Sequence, residues 1–600
     1  MTAARLDRRR LLSLVAVGAS APAVSRAGEA AYAGPARFDH GVASGDPLQD
    51  RIVLWTRVTP EAGAAGVPVT WELAEDADFR HVVKRGTVQA GPQRDHTVKV
   101  DVTGLRPGRE YRYRFRCGAT VSPVGRARTL PRGRTGKATL AVVSCSLYPN
   151  GYFNAYDHIA RAEPVDAVVH LGDYLYEYGA EPDAYGMVQG QALGRIPEPP
   201  HEMVTLADYR TRHALYKRDP DLQAAHAAAP WICVWDDHEV ANDTWVMGAE
   251  NHQPATEGPF DARKAAAMQA YYEWMPIREP QPGRPFEAIN RAFQFGDLAS
   301  LIMVETRLVA RSQQLSYTGG DIPMAVYDAT DPASRKRVSD PATVAQAMAA
   351  AKAGGQPPAP YKLGPDLEAL KAKLWDPSRR MLGDAQEAWV ARELADSVAA
   401  GRTWQVLGNQ VVMGRVQGPN PWRLFPAQAV EAMIAGAAPA ERAMVARLAD
   451  FFAYDIPSNL DAWDGYPAAR ERLYDAIKKS QGNVVVLAGD SHAFWVNELH
   501  DAQGAVRVAA EFGTTSVTSP SNGDSVPAID LGKLYADQNP EVLLNDQRSK
   551  GYIRLTLTPE AAVGELIAVE IDRKPYAART VATYRVRPAP GPGVEALERV

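Results

Sequence analysis

The sequence predicts an α/β protein in two parts: a small all-β sandwich over residues 35–130, then a larger α/β domain over residues 138–580. Three observations predict it. The chain has 600 residues, more than one hydrophobic core usually serves. Up to about residue 130 apolar side chains recur at period two between turn formers. Beyond residue 138 short apolar strands alternate with helix-length segments, the pattern of a sheet covered by helices.

The chain opens with Asp7-Arg8-Arg9-Arg10-Leu11-Leu12 and stays apolar to Val24, with small residues following. A basic start, a short apolar run and an Ala-rich stretch read as an export signal over residues 1–33. The arginine pair resembles the twin-arginine signal, whose pathway carries folded proteins; a plain secretory signal or an N-terminal anchor stays open. The run is too short and too rich in Ala and Gly for a membrane span of about 20 residues, and no second candidate follows. A soluble mature chain, periplasmic or secreted, is expected.

In the β-rich part, Ile52 to Val58, Val67 to Leu73, His96 to Val102 and Tyr111 to Cys117 alternate between apolar and polar. Thr59-Pro60, Gly91-Pro92 and Leu105-Arg106-Pro107-Gly108 separate them. Tyr111-Arg112-Tyr113-Arg114-Phe115-Arg116 puts aromatics on one face and arginines on the other; the arginines read as a solvated face. Pro131 to Lys137 reads as a linker. In the second part, strands are expected at Thr139 to Ser144, Val165 to Gly172, Trp231 to Trp235 and Asn483 to Ala488. Tyr152 to Arg161, Leu206 to Ala228 and Gln386 to Ala400 read as helical, and Arg291 to Glu305 and Trp404 to Val412 as further elements. Residues 312–362 read as an irregular insertion and residues 581–600 as a tail.

Composition narrows the function. A net charge of −5, with no dense Lys/Arg block beyond the first residues, argues against specific nucleic-acid binding. Cys117, Cys145 and Cys233 are the three cysteines, so at least one thiol is free unless it pairs between chains; one bridge stays open.

The chemistry lies in four stretches, each beginning where an apolar strand stops, which is where open α/β sheets place ligand sites. Val142-Val143-Ser144-Cys145-Ser146 ends in a cysteine that, taken alone, also reads as a small buried hydrophobe. In His170-Leu171-Gly172-Asp173-Tyr174-Leu175-Tyr176, a carboxylate on a glycine turn is well placed to bind a metal; alone, Asp173 also reads as a helix cap and Tyr176 as packing. Trp235-Asp236-Asp237-His238-Glu239, followed by Ala241-Asn242-Asp243, sets four ionisable residues in a row after a buried strand. Such a row needs a cation or dense hydrogen bonding. Leu487-Ala488-Gly489-Asp490-Ser491-His492 projects a hard oxygen and an imidazole from one turn, which a structural Asp–His pair would also do. His81, His96, His201, His226, His252 and His500 lie outside these motifs and read as surface or packing residues.

Together the motifs resemble the metallophosphoesterase pattern, in which oxygen and imidazole ligands hold ions that polarise phosphate and activate water. The resemblance is closest to the PhoD-type alkaline phosphatases. It rests on Val143-Ser144-Cys145, Gly172-Asp173-Tyr174-Leu175-Tyr176-Glu177, Trp235-Asp236-Asp237-His238-Glu239 and Gly489-Asp490-Ser491-His492. His40-Gly41-Val42-Ala43-Ser44-Gly45-Asp46-Pro47 and Met381-Leu382-Gly383 with Gln386 and Trp389 match outside the site. The resemblance implies a calcineurin-like metallophosphoesterase sandwich behind the β-sandwich, holding one Fe(III) and calcium ions. It implies Cys145, Asp173, Tyr176 and His492 on iron, Asp173 bridging to calcium, and Asp236 and Asp490 on calcium. Thiolate and phenolate suit a trivalent ion, and carboxylates suit calcium. The family pattern has an asparagine seven residues beyond the first Asp of Asp-Asp-His-Glu; here that place holds Asp243, with Asn242 before it, and either is a ligand candidate. His238 and Asp237 are the catalytic candidates, His238 as phosphate contact or proton donor, with Arg307 a further phosphate-contact candidate.

The function expected is hydrolysis of phosphomonoesters and phosphodiesters, with small phosphate esters or phospholipid-type molecules as substrates. A phospholipase D-type phosphodiesterase on the same fold, and a non-catalytic surface-binding protein, are the alternatives. If the arginine pair directs export, Arg8→Lys with Arg9→Lys will hold the protein inside the cell. Fractionation with an immunoblot measures this, and undiminished export would point to the general secretory route.

Overall fold

The computed structural model describes residue 32 and residues 34–317, 320–436 and 442–600; the expected export signal lies outside the described residues except for Tyr32. Two large sheets organise the chain. In one, Gly551–Leu557, Ala138–Val143, Ala167–His170, Pro230–Cys233 and Val42–Gly45 are consecutive neighbours. In the other the order is Arg291–Phe295, Ala299–Met303, Trp404–Gly408, Asn483–Ala488, Arg507–Gly513, Phe494–His500 and Val542–Asp546. The central strands pair in parallel. Most of them are buried along their whole length, as parallel strands covered on both faces must be.

Leu140, Val142 and Leu555 of the first sheet share one core with Leu301, Val406, Val485 and Phe512 of the second. The sheets therefore face each other. On the far face of the second sheet, Val390 and Leu394 of the helix Asp384–Ala399 pack with Leu473 and Ile477 of the helix Pro467–Ser480. The helical stretch expected from Leu206 to Ala228 is two helices, Leu206–Lys217 and Pro220–Ala228. Asp219 caps the second by accepting from the amides of Asp221 and Leu222, and proline at the first helical position suits the break.

The amino-terminal β part packs two sheets around its own core, including Val69, Phe115, Ile52 and Val100. One sheet is its own, formed by Gly125–Arg128, Glu110–Cys117, Val67–Ala74 and Val82–Ala90, with Thr120–Val121 on Glu110–Cys117. The other is not separate: Val42–Gly45, Arg51–Arg57 and Thr97–Thr103 extend the ten-stranded sheet. The joint is the stretch His40 to Pro47. Gly45 lies against Trp231 in register, and a Cβ there would fall 2.3 Å from the Pro276 carbonyl oxygen and 2.6 Å from that of Trp231, so only glycine fits. The next residue, Asp46, is fully buried. It accepts from Arg291 Nη2 at 2.7 Å and from the Arg278 amide at 2.7 Å, while Arg291 Nη2 also donates to the Cys233 carbonyl at 2.7 Å. One carboxylate thus ties the β part to both sheets.

Two expectations change. Residues 312–362 hold a three-stranded sheet, Met324–Asp328 with Lys336–Arg337 and Tyr361–Pro365, and a helix, Pro341–Lys352. Their core, with Tyr327 and Ala325, is completed by Leu370, Tyr454, Ile456 and Leu460, so local periodicity is weak. Residues 581–600 are not a tail: Ala578–Val586 is a sheet strand and Glu598–Arg599 pairs with it. Its buried positions, Ala582, Tyr584 and Val586, alternate. All three cysteines are buried and free. Among the described residues, no helix is long and apolar enough to cross a membrane.

Asp46→Ala leaves the Arg291 guanidinium facing an emptied, buried site. Removing one partner of such a pair costs about 3–5 kcal/mol, so urea unfolding should shift to clearly lower denaturant. An unchanged midpoint would show that Asp46 does not hold the joint.

Candidate metal centre

Five strand ends converge. Ala138–Val143 leads to Cys145, Ala167–His170 to Asp173 and Tyr176, and Pro230–Cys233 to Asp236, Asp237 and His238. From the second sheet, Ala299–Met303 leads to Arg307 and Asn483–Ala488 to Asp490 and His492. To turn these side chains inward the backbone bends sharply after three of these strands and again at Asp243. Cys145, Asp173, Asp243, Asp490 and His492 all have left-handed φ, between 53° and 63°, a conformation that costs non-glycine residues of order 1 kcal/mol each. Gly172, at φ 114°, is glycine for a second reason. A Cβ there would lie 2.4 Å from both the Asp236 amide nitrogen and its Cβ.

Hydrogen bonds hold these turns. Glu239 Oε2 accepts from the amides of Asp173 (3.1 Å) and Asp236 (2.8 Å), and its Oε1 from that of Tyr174 (2.6 Å). One buried carboxylate therefore fixes the Asp173 turn against the Asp236 turn. From beneath, His170 Nδ1 accepts from the Gly172 amide at 3.2 Å and Nε2 bonds the Tyr156 hydroxyl at 3.1 Å.

Ligand atoms of Cys145, Asp173 and His492 lie within 4.8 Å of one another, as do those of Asp173, Asp236, Asp237 and Asp490, and those of Asp173, Asp237 and His238. Asp173 belongs to all three groups. The Tyr176 hydroxyl joins the first, 3.0 Å from Asp173 Oδ2 and 3.1 Å from His492 Nε2, and accepts from Ser519 Oγ at 2.7 Å. His492 Nδ1 donates to the Pro520 carbonyl at 2.8 Å. Its Nε2 is then the bare nitrogen facing the centre, the tautomer a ligand needs. Burial, then Lys550, lowers the His492 pKa to about 3, so the ring is neutral.

The chain cannot ionise these donors comfortably by itself. Burial, then Asp173, pushes the Cys145 thiol well up. Burial also raises Asp173 and Asp490, with neighbouring carboxylates adding to it. Oδ1 of Asp173 and Oδ1 of Asp237 are buried without a hydrogen-bond partner. Multivalent cations would reverse each of these penalties. The donor set fits two kinds of ion, one beside thiol, phenol and imidazole, the other beside carboxylates alone.

Three placements bear on the sequence reading. Asp243 is half-buried with its amide on Asp237, and its carboxylate is not among the grouped donor atoms. Its pKa is pushed up to about 7 by burial, then by Asp461 and Asp237, whereas Asn242 Nδ2 donates outward to Glu250 at 3.2 Å. His238 meets the first group through Asp173 and the Tyr176 ring, 4.1 Å away, with its Nδ1 bound to Glu177 at 2.7 Å. Burial opposes its charge, but Asp237, Glu177 and Asp173 override burial and hold the imidazolium well above the ordinary histidine range. Arg307 is fully buried and engaged by carboxylates. It pairs with Asp236, with Asp461 at 2.7 Å and with Asp490 at 3.4 Å, so it is placed to balance their charge. Asp461 pairs in turn with Arg311. Asp461 carried no sequence signal, being a single aspartate in irregular chain. Glu177 and Glu239 stood inside quoted motifs, and only their buried amide partners give them a role.

The sequence matches the profile described as PhoD-like phosphatase over residues 140–566, and that of the PhoD-like phosphatase N-terminal domain over residues 22–131. The chain belongs to the PhoD-like phosphatase family. It is 37% identical over 536 residues to alkaline phosphatase D of Bacillus subtilis (strain 168), an alignment spanning 87% of this chain and 76% of that protein. The solved structure titled "Structure of PhoD" superposes with a TM-score of 0.71 at 31% identity, covering 96% of this chain and 93% of that one. The protein is a phosphoric ester hydrolase of this family, acting on phosphate esters, and metal dependence fits both the family and the clustered donors.

Glu239→Gln must turn an amide NH2 toward backbone N–H groups that now find a carboxylate oxygen. An unmatched buried polar group costs about 1–3 kcal/mol. Retained metal, read by mass spectrometry, should fall together with thermal stability; full metal content at wild-type stability would remove Glu239 from the positioning role.

Proposed function

We propose that this phosphatase is exported and hydrolyses phosphomonoesters and phosphodiesters at a mixed centre of one Fe(III) with calcium. Cys145, Asp173, Tyr176 and His492 would hold iron. Asp236, Asp490 and Asp243 would hold calcium, with Asp173 shared. One observation carries the reading: a thiol, a phenol and a bare imidazole nitrogen meet on Asp173, which also belongs to a group of carboxylates alone, Asp236, Asp237 and Asp490. Anionic thiolate and phenolate donors stabilise a trivalent ion, and hard carboxylate oxygens suit calcium. Export is supported by the Arg8-Arg9 segment alone.

Bound cations supply charge to polarise the phosphoryl oxygens and to activate water. The chain's own residues do the rest. His238, held by Glu177 through Nδ1, keeps its other ring nitrogen as a proton donor for the leaving oxygen. Asp237, which accepts from the Asp243 amide at 2.6 Å, sustains the imidazolium charge and fixes the Asp243 turn. Glu239 keeps Asp173 and Asp236 at ligand spacing.

The test is metal analysis of purified protein with chelation. Exhaustive chelation should abolish turnover of a chromogenic monoester and of the matching diester. Phenolate or thiolate on Fe(III) gives charge-transfer absorption, so concentrated protein should be coloured, and Tyr176→Phe should weaken or shift the band while keeping the ring. A colourless, active protein with stoichiometric zinc would overturn the iron assignment, and full activity without metal would overturn the mechanism.

A further inference from the structure

The centre meets solvent on one side. The Asp490 side chain is 18% exposed, against 2% for Asp236 and 8% for His238, and His492 is half-buried. On this side stand two further half-buried rings, Tyr178 and Tyr185. Tyr178 meets His238 edge-on at 5.5 Å and Tyr185 edge-on at 5.7 Å, and lies nearly parallel to Tyr176 at 6.5 Å. Tyr185 stacks on His492 at 6.4 Å.

The two rings are fixed differently. The Tyr185 hydroxyl donates to the Pro520 carbonyl at 3.0 Å, so that ring is tied down by its own polar end. The Tyr178 hydroxyl has no hydrogen-bond partner among the described residues; the residue is held by its backbone, whose carbonyl accepts from Arg212 at 2.9 Å. Arg212 is buried and also binds the Tyr176 carbonyl. Tyr178 is thus a ring fixed beside His238, with its polar end unclaimed by the protein.

We propose that Tyr178, buttressed by Tyr185, is the wall against which the leaving alcohol packs, so that esters of planar aromatic alcohols are preferred over esters of small alkyl alcohols. The inference rests on the phosphatase reading of the centre. In the reaction the ester P–O bond breaks, a water oxygen bonds to phosphorus, one proton of that water stays on the phosphate and the other ends on the departing alcohol oxygen. The phosphoryl group belongs at the buried donors, so the alcohol extends toward the side that meets solvent, where the Tyr178 ring stands. An aromatic ring attached directly to that oxygen meets an aromatic face there, and offset or edge-on pairs of this kind are favourable beyond simple burial.

The experiment compares phenyl phosphate with ethyl phosphate on metal-loaded enzyme and reads the ratio of their kcat/KM values, so the intrinsic reactivity of each ester cancels between variants. Tyr178→Leu keeps bulk but loses the aromatic face, and should lower that ratio by about 3- to 10-fold. Tyr178→Phe should restore the ratio. Inhibition by inorganic phosphate, which has no leaving group, should not follow the ratio. Equal losses on both esters, or a matching change in phosphate inhibition, would overturn the wall while leaving phosphatase activity standing. Failure of the metal-loaded wild type on both esters would overturn the functional reading beneath it.

Discussion

Six carboxylates, Asp173, Asp236, Asp237, Asp243, Asp461 and Asp490, face a largely water-excluded space at the strand ends, and their mutual repulsion is the constraint on which the site depends. Two buried guanidinium groups answer part of it. Arg307 touches carboxylates from both sheets, and Arg311 pairs with Asp461. What remains is negative, and Oδ1 of Asp173 and Oδ1 of Asp237 find no hydrogen-bond partner in the protein. Buried anions left in this way either protonate or recruit cations. The turns at Cys145, Asp173 and Asp490–His492 are strained into left-handed φ, and such strain persists only where surrounding structure over-determines it.

That over-determination explains the size of the scaffold. Ligands come from two sheets that share one core, so an error in either sheet would move one half of the site against the other. Glu239 ties two turns of the first sheet together, and Arg307 ties the first sheet to the second. Farther out, Asp46 and Arg291 repeat the arrangement between the β part and both sheets. Each tie is a buried ionisable group with several partners, expensive to break and specific in geometry.

The same placement separates the roles of the two histidines near the centre. His492 gives its Nδ1 proton to a carbonyl and is kept neutral, which suits a ligand. His238 gives its Nδ1 proton to a carboxylate and is kept charged, which suits an acid. Their sequence contexts, Asp-His-Glu and Asp-Ser-His, do not reveal this difference. It comes from what the second nitrogen faces.

By itself, the sequence determined the order of elements in the α/β part, because buried strands must be apolar and helices amphipathic. It also located four of the converging turns, since a polar cluster directly after an apolar strand is costly anywhere but at a site. It could not show that the β part shares a sheet with the rest, because Val42–Gly45 is only four residues long and its partner lies nearly two hundred residues away. Nor could it show that residues 312–362 fold, as their core is finished by Tyr454 and Leu460, or that Ala578–Val586 is a strand. Tertiary structure alone set the Asp243 amide on Asp237 and the Asn242 side chain on Glu250, and gave Glu177, Glu239 and Asp461 their partners. The physical reason is the same in each case. Local periodicity records which residues are buried, whereas the partner of a buried charge is chosen by chain folded back from far away.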